Sequence, residues 1–183
     1  MAKDLNIMLA GFGGQGILFA GKIIAYAGLL DGREISWLPS YGPEMRGGTA
    51  NCSVCLSDEP IGSPLVTEPD ALIAMNLPSY ERFVGDVVPG GVVVVDSSMV
   101  GACTMRRDIE YYTVPATSLA EENGLKGLAN VILVGKLLAA TGFSTEDVCK
   151  QAIDKSVSAK HADLAEANKR ALEIGEAWTA SAC

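Results

Sequence analysis

Two glycine-bearing segments hold the residues of this chain best placed for chemistry. The first is Gly11-Phe12-Gly13-Gly14-Gln15-Gly16, a G-x-G-x-x-G pattern between an apolar run and a helix-like run. Glycines at these spacings let backbone amides approach a diphosphate, and the first turn of a following helix adds partial positive charge. Gly11, Gly13, Gly14, Gln15 and Gly16 are therefore candidate phosphate contacts, with Lys22 on the same helix as a candidate cation. The competing reading makes the loop a tight packing turn and Lys22 a solvated helix lysine. A dinucleotide site also needs an acid at the end of the second strand to hold a ribose. That strand reads Ile35-Ser36-Trp37-Leu38-Pro39, and Glu34 sits at its start instead. This counts against NAD and FAD and leaves other phosphate-bearing ligands open.

The second segment runs Ser40-Tyr41-Gly42-Pro43-Glu44-Met45-Arg46-Gly47-Gly48-Thr49-Ala50-Asn51-Cys52-Ser53. A Gly-Pro turn and a Gly-Gly turn bracket a charged centre, which is a poor filling for a core. Gly42, Pro43, Glu44, Met45, Arg46, Gly47, Gly48 and Thr49 read as a shaped loop that offers Glu44 and Arg46 to something outside the domain.

The elements that must position these loops follow from periodicity. Leu5–Ala10 reads as a buried strand and Ile17–Leu30 as a helix ended by Gly32. Glu34–Leu38 and Thr49–Leu56 read as strands flanking the charged loop. Asp70–Met75 is another buried strand, and Pro78–Val84 a short helix with proline in its first turn. Val92–Val95 is a valine run of the kind found in central parallel strands; Asp96-Ser97-Ser98 follows it. Strand carboxyl ends line ligand clefts in open α/β sheets, so Ser97 and Ser98 are candidate lining residues, or simply a polar exit. Ile109–Val114 completes the strands. Thr117–Glu122, Leu128–Ala140, Ser144–Ile153 and Asp163–Trp178 read as helices, the third opened by a capping pattern. The expected fold is α/β: a three-layer α/β/α sandwich, a mostly parallel or mixed sheet, and a Rossmann-like first βα unit. Residues 1–183 read as one domain.

Composition narrows the function. Hydrophobic residues make up 49% and charged residues 20%, as in ordinary globular domains. A net charge of −8 argues against a nucleic-acid surface. No apolar run reaches the roughly 18 residues that would span a bilayer, and no signal-peptide pattern is seen, so no membrane role and a cytoplasmic location are expected. Cys52, Cys55, Cys103, Cys149 and Cys183 are odd in number and scattered, which suggests free thiols. Cys52 and Cys55 fall on a strand, where residues three apart point to opposite faces and cannot share a metal. His161, the sole histidine, has no placed nucleophile beside it. Trp37, Tyr41 and Tyr80 suit a core or a partner surface. No catalytic residue and no metal site is assigned.

The two glycine segments, with Ser57-Asp58-Glu59-Pro60-Ile61-Gly62-Ser63-Pro64, Pro115-Ala116-Thr117 and Asn130-Val131-Ile132-Leu133-Val134-Gly135, resemble the gamma subunit of 2-oxoacid:ferredoxin oxidoreductases. The likeness covers most of the chain. The Gly-Pro-Glu-Met-Arg-Gly-Gly-Thr wording looks most like the 2-oxoglutarate and branched-chain 2-oxoacid branch. The resemblance implies oxidative decarboxylation of a 2-oxoacid with coenzyme A, giving acyl-CoA, CO2 and reduced ferredoxin. Such chemistry needs thiamine diphosphate and iron–sulfur clusters. Gly85-Asp86-Val87 lacks the second glycine of a thiamine motif, no Asn-Asn is present, and no cluster-type cysteine run exists. The resemblance therefore places both groups on sister alpha, beta and delta-type subunits. If a diphosphate does sit in the glycine loop, the resemblance suggests coenzyme A, and it makes the complex the donor to ferredoxin. It also leaves the lone chain inactive, with a homodimer of that chain an open matter. A free-standing nucleotide-binding module and a structural scaffold are the alternatives.

Overall fold

Six strands and seven α-helices are found among the residues described, 4–40, 49–101, 105–158 and 162–179, in a computed structural model. The order is β1 (Leu5–Phe12), α1 (Ile17–Leu30), β2 (Glu34–Ser40), β3 (Thr49–Ser57), β4 (Ala71–Ala74), α2 (Leu77–Phe83), β5 (Val92–Asp96) and α3 (Ser97–Val100). Then come β6 (Glu110–Val114), α4 (Ala116–Glu122), α5 (Ala129–Thr141), α6 (Glu146–Ser156) and α7 (Ala162–Ala177). Gly42–Gly48, Tyr41, Cys103, His161 and Cys183 lie outside the described residues.

The sheet runs β2-β3-β1-β4-β5-β6. β1, β4, β5 and β6 are mutually parallel, while β3 is antiparallel to both of its neighbours. The sheet is thus mixed. A strand following α1 would normally dock beside β1, but β3 occupies that place and β2 is pushed to the edge. The edge position explains why Pro39 can sit within β2: a missing amide costs no ladder bond on an open side.

Strand pleating sorts side chains into two cores. Ile7, Leu9, Val54, Ile73 and Val94 face α1 and α5, whereas Met8, Leu72, Val93 and Val95 face Tyr80 of α2. Each large apolar side chain so enclosed gains about 1.5–3 kcal/mol over an exposed one. Cys52 joins the first core and Cys55 the second, so the pair does point to opposite faces. Burial raises the Cys52 and Cys149 thiols to about 12. Their neutral forms are favoured in the fold, so this contribution is complete below pH 9.0, the ordinary value, and is lost as pH climbs towards 12. A urea midpoint measured against pH should fall above pH 9, and Cys52→Ala should flatten that fall. A Cys52 that reacts with a thiol reagent at pH 8 without unfolding would contradict its placement.

The C-terminal helix is pinned at both ends of its contact. On α5, Gly135 lies against Leu172 O of α7; Gly175 lies against Ile132 O of α5. Past the helix, Trp178 Nε1 donates to Thr113 O at 3.1 Å, and Lys136 Nζ donates to Trp178 O at 2.9 Å. That lysine also stands 4.9 Å from the Tyr112 ring centre, so its buried charge is met by a carbonyl and a π face.

Candidate functional site

The glycine loop divides into glycines that pack and glycines that are open. Gly14 and Gly16 have φ of 96° and 74°, a backbone region that side-chain-bearing residues avoid. Gly16 is also the N-cap of α1, and a Cβ there would collide with the amide of Asn130. Asn130 Nδ2 donates to Gly16 O at 2.9 Å, tying α5 to the start of α1. A Cβ on Gly11 would fall 2.8 Å from Gln15 Oε1 and from Ile17 Cδ1. Gly13 and Gly14, by contrast, are exposed, and the space around Gly14 is open.

Gln15 holds the loop in this shape. Its Oε1 accepts from Phe12 N at 2.6 Å and from Asn76 Nδ2 at 3.0 Å, and its Nε2 donates to Met75 O at 3.2 Å. The side chain thus bridges the carboxyl ends of β1 and β4. The chain leaves β1 towards one face and β4 towards the other, so this is the switch point where open sheets form a crevice. Gln15 lines that crevice, and Asn76 in turn caps α2 by accepting from Ser79 N at 2.9 Å. Asn76 and Asn130 were absent from the sequence-based set. Asparagine beside a helix start is the signal that could have drawn notice, since its amide satisfies loose backbone groups.

Clefts lie on both sides of the loop. One, about 300 Å3, is lined by Phe12, Gly13, Gly16, Leu18, Phe19 and Ala50. It opens on the first turn of α1, which has no acidic residue and no side-chain cap among the described residues. Amides of a first turn have no intrahelical acceptor, so this face suits an anion. The other cleft, about 250 Å3, is lined by Gly14, Met75, Thr117, Glu121, Lys126 and Gly127.

The remaining expected contacts lie apart. Lys22 stands 5.5 Å from the Tyr26 ring centre and lines an apolar cleft with Leu29, Ile35 and Trp37, away from the loop. Ser97 and Ser98 begin α3 and line neither loop cleft. Ser98 is engaged: its Oγ lies 3.0 Å from Ser118 Oγ, and its amide donates to Asp96 Oδ1 at 3.0 Å. Asp96, fully buried, accepts from Thr117 Oγ1 at 2.5 Å and from Thr117 N at 3.2 Å, which locks β5 to α4. Among the described residues no group of three His, Cys, Asp or Glu side chains could hold a metal ion. No described helix is long and apolar enough to cross a membrane.

The site thus offers an anion a glycine-lined approach to a helix start and holds no described nucleophile–base pair. Residues 6–178 match the family model for pyruvate ferredoxin/flavodoxin oxidoreductase. The chain belongs to that family. It is 39% identical over 178 residues to ketoisovalerate oxidoreductase subunit VorA of Methanothermobacter marburgensis, covering 96% of this chain and 37% of that protein. The chain therefore spans well under half of that curated relative. The fold matches the gamma subunit of a keto/oxoacid ferredoxin oxidoreductase from Geobacter sulfurreducens with a TM-score of 0.81, at 28% identity over 93% of this chain and 95% of that one. It also matches 2-oxoglutarate:ferredoxin oxidoreductase from Magnetococcus marinus with a TM-score of 0.85, at 26% identity over 97% of this chain and 31% of that one. That structure holds 2-oxoglutarate, coenzyme A and succinyl-CoA. The family resemblance read from the two glycine segments agrees with these relatives.

Proposed function

We propose that the chain is the gamma-type subunit of a cytoplasmic 2-oxoacid:ferredoxin oxidoreductase. In this reading residues 1–183 act as one domain, and the glycine loop completes the cleft that takes coenzyme A. The observation that carries the reading is the exposed Gly13–Gly14 turn against the uncapped first turn of α1, in a family with a coenzyme A-bound member. The cleft fits a phosphate: it offers backbone amides, carries no acidic side chain among the described residues of its lining, and sits at the carboxyl edge of β1. Within the cleft the chain's part is binding and orientation, which brings the thiol of coenzyme A to an acyl group held elsewhere. Thiamine diphosphate and iron–sulfur clusters, held by sister subunits, would supply carbanion stabilisation and single-electron transfer to ferredoxin. Alpha, beta and delta-type subunits are the partners, met by the segment Gly42–Gly48; Thr49, expected in that loop, instead opens β3, where it pairs with Phe12.

The dinucleotide alternative has a further obstacle in the topology. A ribose-binding acid works from the strand beside the glycine loop's own strand. Here β3 separates β2 from β1, and Glu34 lies at the far end of β2.

Gly13→Asp tests the proposal, since it adds a carboxylate to an exposed lip of the cleft without burying it. The lone chain should turn over no 2-oxoacid, and activity should appear on adding the sister subunits. In that complex Gly13→Asp should raise the KM for coenzyme A by about tenfold or more, the equivalent of at least 1.4 kcal/mol. The KM for the 2-oxoacid should stay within about twofold. A folded Gly13→Asp complex with unchanged coenzyme A kinetics would assign the loop to packing alone.

A further inference from the structure

The cleft on the other side of the loop contains a cation that the reading above does not use. Lys126 lines it beside Gly14, Thr117 and Gly127. Among the described residues, this is the one of the two clefts flanking the loop with a basic side chain in its lining. The lysine is built into its place by the turn between α4 and α5. Gly124 and Gly127, at φ of 69° and 88°, reverse the chain on either side of it. Between them Leu125 is buried at 4% exposure and anchors the turn, with its amide donating to Ala120 O at 2.7 Å. Lys126 itself is exposed. The described ion pairs engage Arg33, Arg82, Arg106, Lys150 and Lys169, and none involves Lys126. In a chain of net charge −8, a lysine held on a turn anchored by Leu125 and left without a described carboxylate partner is available to an external anion. Glu121 lines the same cleft, and its negative charge would repel an anion that Lys126 did not offset.

We propose that this second cleft is a separate phosphate subsite, in which Lys126 recognises the 3′-phosphate of coenzyme A. The inference rests on the coenzyme A reading of the loop. Coenzyme A carries two distinct anionic centres, a diphosphate and a ribose 3′-phosphate. The glycine loop separates two clefts, one fronted by the first turn of α1 and one by Lys126. A ligand draped across Gly13 and Gly14 places one centre in each. The exposed backbone at these two positions leaves room for that crossing.

The test compares coenzyme A with 3′-dephospho-coenzyme A in the assembled complex, using Lys126→Met and Lys126→Arg. A charge-assisted hydrogen bond of about 1.5–3 kcal/mol predicts that Lys126→Met raises the KM for coenzyme A by about ten- to hundredfold. The KM for the dephospho compound should stay within about twofold of wild type, so the preference between the two disappears. Lys126→Arg should keep most of the preference. Because Lys126 is exposed, the variant should melt like wild type, which a thermal scan checks. Equal rises for both compounds, no rise for either, or a changed KM for the 2-oxoacid would each overturn the assignment. Gly13→Asp run alongside separates the two readings. If it weakens coenzyme A while Lys126→Met does not, the loop reading stands and the second subsite falls. If neither affects coenzyme A, both fall.

Discussion

Gly175→Val should yield no folded protein. Position 175 lies where α7 crosses α5 with backbone against backbone, and even a bare Cβ there would overlap Ile132 O. Across the same crossing a Cβ on Gly135 would overlap Leu172 O. Overpacking a core of movable side chains costs about 1–3 kcal/mol, because rotamers can shift to make room. A helix carbonyl cannot move without breaking its own ladder, so the two helices must part instead. Parting them uncovers Ile132, Leu133 and Leu172, all fully buried, and pulls on the Trp178–Thr113 contact beyond. The expected loss exceeds about 4 kcal/mol, a large share of the 5–15 kcal/mol that holds a typical domain folded. Gly62→Ala is the control, since nothing lies within 4 Å of its Cβ position. Circular dichroism melts decide the matter: a soluble Gly175→Val chain melting within a few degrees of wild type would refute the close crossing.

Asp96→Ala should be the most damaging change among the polar side chains near the site. Its carboxylate is the acceptor for Ser98 N, Thr117 N and Thr117 Oγ1, so one truncation strips three donors of their partner. Thr117 is half-buried and Ser98 exposed, so each donor left unmet costs about 1–2 kcal/mol, the lower part of the range for buried groups, offset in part because a buried charge no longer has to be desolvated. The net expectation is about 2–4 kcal/mol, or a fall in Tm of roughly 5–15 °C for a chain of this length. Asp96→Asn keeps one acceptor oxygen and should lose about half as much. Amide hydrogen exchange supplies the sharper check. Protection should fall first at Ser98 and Thr117, where α3 and α4 begin. Uniform loss across the sheet, or none, would mean that Asp96 does not carry the β5–α4 junction.

The local elements were legible wherever glycine and apolar period agreed. α1 runs Ile17–Leu30 as its pattern predicts, because Gly16 and Gly32 punctuate both ends. Thr145 does cap α6, accepting from Val148 N at 3.3 Å. α3 was not foreseen: four residues leave no period to read, and its start depends on the Asp96 carboxylate. β2 runs past Leu38 to Ser40 because an edge strand admits proline. The placement of β3 between β1 and β2 was invisible, since no local pattern names a strand's neighbour. The candidate site was legible as a loop and not as a set of side chains. Gln15, read as a ligand contact, braces two strands and also lines the second cleft. Lys22 was assigned to the loop by helix position, but its cleft is the aromatic one with Tyr26 and Trp37. Lys126 drew no attention because its own Gly124–Gly127 turn is ordinary, and the cleft it lines is completed by Gly14 and Met75 from a distant part of the chain.

The interposed strand also sets an order of events during synthesis. Leu5 lies opposite Leu56, and Glu34 lies opposite Ser57, whereas β1 and β2 share no pairing at all. A growing chain that has reached Ser40 therefore holds β2 with α1 against it but no strand beside it. Closure waits until Thr49–Ser57 emerges and slides between them, satisfying two ladders at once. The first third of the protein then zips as a three-strand unit, later than a simple strand–helix–strand crossover would. Until that moment Ile35, Trp37 and Leu38 have no sheet to rest on, and in this interval a chaperone would find its most apolar handle.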